Sequence, residues 1–132
     1  MNKLIRIFSY FLLASLLSCT CQEGMEHGYY AKKLEGKGPL LIKENDSDKF
    51  SGLMQLKREI AYDPQFEQFI KEKGNPDFIE METNTRVKVY YLSKGQSFVF
   101  ERNLMKVGSK LIEEKNLSED EKKVLSNLKN FK

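Results

Sequence analysis

Residues 77–102, DFIEMETNTRVKVYYLSKGQSFVFER, constrain the fold more than any other stretch of the chain. Apolar and polar side chains alternate there in three runs. Turn-forming groups, TNT and KG, separate the runs, which is the pattern of a β-meander with one buried face. A loop at 83–85 sets Glu82 opposite Arg86, Glu80 opposite Lys88 and Phe78 opposite Tyr90, with Met81 against Val87 and Ile79 against Val89. A two-residue turn at Lys94 and Gly95 sets Tyr91 opposite Phe98, Val89 opposite Phe100 and Lys88 opposite Glu101. Both hairpins then place Ile79, Met81, Val87, Val89, Tyr91, Phe98 and Phe100 on one side, and three opposite-charge pairs on the other. Such cross-strand pairs contribute about 0.2–1 kcal/mol each, and a slip of one residue turns every apolar side chain to the wrong face.

Helical signals flank the meander. In residues 63–76, DPQFEQFIKEKGNP, Asp63 suits a cap, Pro64 the first helical position, and Phe66, Phe69 and Ile70 share a face. Gly74 closes that helix and Pro76 prevents its continuation. Residues 49–61 place Phe50, Leu53, Met54, Ile60 and Ala61 near helical spacing. At the C-terminus, Ser118 and Glu121 form a capping box ahead of an apolar stripe of Val124, Leu125, Leu128 and Phe131, assigned to the core. PLLIKE (39–44) reads as a first short strand, and residues 103–115 as either a further strand or a short helix. The fold class expected is α+β: one small domain with an antiparallel meander of three to four strands packed by two to three helices. The length of 132 residues leaves room for one such domain.

The first residues follow different rules. MNKLIR carries two positive charges and no negative ones, and residues 7–17, IFSYFLLASLL, are apolar. A membrane-spanning helix needs about 20 apolar residues, so this run reads as a secretory leader instead. It ends at Leu16-Leu17-Ser18-Cys19, which resembles the lipobox of bacterial lipoproteins. That resemblance implies cleavage before Cys19 and attachment of diacylglycerol to its sulfur. Each buried acyl CH₂ contributes roughly 0.8 kcal/mol, so two or three chains hold a protein stably on a bilayer. The division expected is a signal peptide at 1–18, a lipidated cysteine and tether at 19–39, and a globular α+β domain at 40–132. Residues 20–39 contain four glycines and a proline without a sustained period, and the lone histidine, His27, reads there as solvated. The residue after Cys19 is Thr20 and not the aspartate that resembles an inner-membrane retention signal. In a host with two membranes this implies an outer-membrane anchor facing the periplasm; otherwise the anchor lies in the cell membrane.

Charge excludes one class of partner. The formal charge is +3, but removing Lys3 and Arg6 leaves 20 basic against 19 acidic side chains. That balance, interspersed along the chain and built on its basic side from 17 Lys and 3 Arg, is no footprint for nucleic acid. Nucleophilic catalysis needs a base oriented beside a nucleophile. With the only histidine assigned to the tether, no such constellation is expected in the folded part, and the chain reads as a non-enzyme without cofactor or metal. Phosphate loops and zinc spacings are absent from the sequence.

The outer face of the meander carries Phe78, Tyr90, Leu92 and Val99 among its charges. It is either covered by the C-terminal helix, the favoured reading, or offered to a partner, with Phe78, Tyr90 and Leu92 as its anchors. Two helices followed by a meander behind a lipidated cysteine, with GNPD at the helix-to-strand turn and KVYYL in the middle strand, resemble the small lipoproteins of the outer-membrane β-barrel assembly machinery. The resemblance covers residues 50–102 and brings no functional residues with it. The expectation is a lipid-anchored envelope protein that binds or scaffolds other envelope proteins. The alternative is a lipoprotein binding a small molecule or cell-wall fragment.

Overall fold

The computed structural model describes residues 27–103 and 105–131. The lipobox residues Leu16, Leu17, Ser18 and Cys19 lie outside the described residues. Helix α1 covers residues 27–34. Strand β1 (Leu40–Leu41), helices α2 (Gly52–Tyr62) and α3 (Pro64–Lys73), strands β2 (Phe78–Thr83), β3 (Arg86–Tyr91), β4 (Gln96–Arg102) and β5 (Ser109–Asn116), and helix α4 (Glu119–Asn130) follow. The strands form one antiparallel sheet in the order β1-β2-β3-β4-β5. The fold is therefore α+β as expected, with five strands where three to four were expected. Residues 109–116 resolve as the edge strand β5.

Two cores sandwich the sheet. On one face Ile79, Met81, Val87, Val89, Tyr91, Phe98 and Phe100 pack against Ala31 and Leu34 of α1, Leu56 of α2 and Phe66 and Ile70 of α3. These seven sheet residues are the set that alternation assigned to one side. Phe69 adds tilted ring contacts to Phe98 and Phe100, both at 4.9 Å between centroids. On the other face Phe78 and Tyr90 pack with Leu117 and Leu125, and with partly buried Leu41 and Leu92.

The first hairpin follows the expected register from Phe78↔Tyr90 to Met81↔Val87. An irregularity then brings Thr83, and not Glu82, opposite Arg86. The second hairpin is displaced by two residues from expectation: Tyr91 lies opposite Gln96, Val89 opposite Phe98 and Val87 opposite Phe100. Its turn is longer than two residues, closed by Gly95 N–H donating to Leu92 O at 3.1 Å with Gly95 at φ 62°. A displacement of two preserves every side chain's face, so the burial pattern survives while the charge partners change. Lys88 faces Val99, and Glu101 pairs with Arg86 at 3.2 Å.

The helices begin where their caps dictate. Ser51 accepts from the Met54 amide, and Asp63 accepts from the amides of Gln65 and Phe66, with Pro64 following it. Ser118 and Glu121 complete the capping box of α4. Gly52, at the start of α2, is required by close approach: a Cβ there would lie 2.5 Å from Leu41 O and 2.8 Å from Leu40 O. That contact seats α2 against β1.

Candidate functional site

Three expectations fail in one place. Residues 27–34 are helix and not tether, His27 is buried, and the inward face of α2 is partly polar. Gly52, Gln55, Leu56 and Glu59 are the buried residues of α2, whereas Phe50 and Ala61 are exposed. The physical reason is a buried ionic cluster that α1, α2 and β4 build together.

Glu59 is fully buried, and its Oε1 lies 2.9 Å from His27 Nε2, 3.1 Å from Gln55 Nε2 and 3.3 Å from Arg102 Nη2. Arg102 Nη1 contacts both ring nitrogens of His27, and Nη2 donates to the carbonyl of Asn84 at 2.9 Å. Tyr62 stacks on the imidazole with centroids 4.3 Å apart and planes at 14°. Gln55 is fixed in turn, because its Oε1 accepts from Arg58 Nε at 3.1 Å and from Arg58 Nη2 at 3.0 Å. Arg58 also lies 3.9 Å over the Tyr30 ring, which ties α2 to α1 a second time. Among the described residues, Glu59 Oε2 and Arg102 Nε are buried without a hydrogen-bond partner.

A carboxylate only accepts and a guanidinium only donates, so Glu59 and Arg102 are complementary partners on either side of the imidazole. Glu59 and Arg102 form an ion pair at 3.3 Å within the cluster. Burying an unbalanced charge is far costlier than burying a paired one.

Sequence signals for part of this cluster existed. Arg102 stands two residues beyond Phe100 and four beyond Phe98, on the inward side of the same strand. Gly52, Gln55, Leu56 and Glu59 also have helical spacing. Nothing local indicates that His27 meets them, because its partners are 32 and 75 residues away.

Phe78, Tyr90 and Leu92, the anchors named for the alternative in which this face is open to a partner, lie in the second core under α4. Phe78 and Tyr90 are buried and Leu92 is partly so. Cover by α4, the reading favoured above for this face, accounts for their apolarity, and they are core residues and not surface anchors. The apolar stripe of α4 divides differently from expectation. Leu125 alone is buried, while Val124, Leu128 and Phe131 are exposed by 58, 43 and 82%. These three border two adjoining depressions that share Pro39, of about 250 and 350 Å³.

Among the described residues no group of three His, Cys, Asp or Glu side chains could hold a metal ion, and no helix is long and apolar enough to cross a membrane. Comparison with protein families, with curated proteins and with solved structures finds no match for this chain.

Proposed function

We propose that the protein is a bacterial envelope lipoprotein, anchored through acylated Cys19, whose α+β domain serves as a non-catalytic interaction module. The observation that carries this reading is the basic start, 11-residue apolar run and Leu16-Leu17-Ser18-Cys19 sequence. The buried histidine supports the non-catalytic part, because both of its ring nitrogens are engaged by Glu59 and Arg102. The exposed side chains of Val124, Leu128 and Phe131 supply apolar surface for a protein partner. On this reading the small-lipoprotein resemblance concerns architecture and anchoring, not a shared activity.

In a host with two membranes, placement at the outer membrane belongs to the same proposal and rests on Thr20 after the anchor residue. The test is mass spectrometry of the mature N-terminus from native cells, with membrane fractionation of the wild type and of Cys19→Ala. Acyl mass on residue 19, and loss of both mass and membrane association in the variant, is the expected result. An unprocessed Met1 or an unmodified thiol refutes the anchor. Crosslinking in intact cells then tests the module: a reproducible partner should be captured by the wild type and lost with Phe131→Glu.

A further inference from the structure

We infer that Tyr29, Tyr30 and Phe50, with the lysines around them, form a patch that seats the domain on an anionic lipid surface. This orientation rests on the acylated Cys19 proposed above and names the side of the domain that meets the bilayer.

The patch is built by α1 and the approach to α2. His27, Ala31 and Leu34 are the buried residues of α1, so Tyr29, Lys32 and Lys33 fall on its exposed side. Phe50 directly precedes Ser51, the cap of α2, and its amide donates to Asp48 Oδ1 at 2.8 Å. The three rings touch in series. Tyr29 meets Tyr30 edge-on with centroids 5.3 Å apart, and Tyr30 meets Phe50 at 5.7 Å. Tyr29 remains 55% and Phe50 44% exposed. Lys33 lies 5.8 Å over the Tyr29 ring and Arg58 3.9 Å over the Tyr30 ring. Aromatic rings and lysines suit the headgroup level of a bilayer, where an apolar body and a polar tip are both accommodated.

Charge and chain length favour this side over the apolar stripe of α4. Lys32, Lys33, Lys37 and Lys49 are exposed around the patch, against the exposed acids Glu35 and Asp48, and an anionic leaflet attracts that excess. On α4 the acids Glu119, Asp120 and Glu121 cancel Lys122, Lys123 and Lys129. The seven residues between Cys19 and His27 span at most about 28 Å when fully extended. A residue 19 fixed in the bilayer therefore keeps α1 near the headgroups, and a patch too weak to bind lipid alone is held there at high effective concentration. α1 and α2 pack on one face of the sheet and α4 on the other. Seating the α1 side on lipid thus leaves Val124, Leu128 and Phe131 turned away from the membrane, toward a protein partner.

The test uses the absence of tryptophan from the sequence. Phe50→Trp and Phe131→Trp each introduce a single fluorescent probe, one on either side of the sheet, and Tyr29→Trp is a second probe of the patch. Each acylated full chain, purified from native cells, is reconstituted in vesicles of phosphatidylethanolamine and phosphatidylglycerol with brominated acyl chains, which quench tryptophan on contact. Phe50→Trp and Tyr29→Trp should be quenched and Phe131→Trp should not. Adding Lys32→Glu and Lys33→Glu, both at exposed positions, should abolish the quenching of Phe50→Trp while the protein stays on the vesicles. Salt at about 1 M, which screens charges beyond about 3 Å, should weaken it in the same way. Equal quenching on both sides, or none at Phe50→Trp and Tyr29→Trp in protein that sediments with the vesicles, overturns the patch. Acyl mass on residue 19 with both patch probes unquenched refutes the patch and leaves the anchor standing; absence of acyl mass refutes the anchor and the orientation together.

Discussion

Glu59 and His27 meet at 2.9 Å across 32 residues of sequence, and Arg102 of β4 closes the cluster from the sheet. The pairing joins a helix that the sequence did not reveal to one whose buried face it misjudged. Glu59 there meets three side chains, those of His27, Gln55 and Arg102.

Removing Glu59 leaves Arg102 buried without its counter-charge. Glu59→Ala should cost about 3–5 kcal/mol, the range for breaking a buried pair from one side. Replacing Glu59 and Arg102 together by Met should recover a large part of that loss. Urea unfolding midpoints of the three proteins measure both effects, and equal stability of Glu59→Ala and the wild type contradicts the assigned geometry.

Gly52→Ala should destabilise although alanine is the better helix former by about 1 kcal/mol. The added Cβ meets the carbonyls of Leu41 and Leu40 at 2.5 and 2.8 Å, so either α2 or β1 must move. A net loss of about 1–3 kcal/mol is expected. Faster exchange of the Ile42 amide, which bonds to Asp77 O at 3.0 Å, should accompany it.

Stability should decline above pH 10. Burial, then the hydrogen bond to Glu80, pushes the Tyr90 hydroxyl well above its ordinary value of 10.0, and burial, then Asp77, does the same for Tyr91. Unfolded tyrosines release protons near pH 10 while the folded ones keep theirs. The folded state thus binds more protons, and stability falls as pH rises from about 10 toward the folded-state values. Thermal melts between about pH 8 and pH 11.5 should show the decline, with a shallower slope in Tyr90→Phe.

The capping box gives the opposite sign at acid pH. The Ser118 backbone N–H, followed by the Ser118 side chain, holds the Glu121 carboxyl below its ordinary value. Its stabilisation is present above the unfolded value and is lost as pH falls through the folded one. Ser118→Ala should cost about 1 kcal/mol at neutral pH, read as earlier fraying of α4 in amide exchange.

The stripe of α4 offers an internal control. Leu125→Ala should cost about 2–5 kcal/mol because it opens a cavity against Phe78 and Tyr90. Val124→Ser, at an exposed position, should change stability by no more than about 0.5 kcal/mol. Similar losses at both positions contradict the division of the stripe.

What the sequence determined by itself is whatever repeats over short range. Strand alternation selected the seven inward residues of the meander, and caps at Asp63 and Ser118 located the starts of α3 and α4. A period of two also explains why the misplaced second turn left each face intact. Tertiary structure decided the rest. Glycines made residues 20–39 look like a tether, but the burial of Ala31 and Leu34 supplies the packing that local propensity lacks. His27 became part of the core only because Glu59 and Arg102, distant in the chain, satisfy it with charge in balance. The same compensation turned the polar face of α2 inward. Which polar residues are buried is a property of their partners, and partners are chosen by the fold.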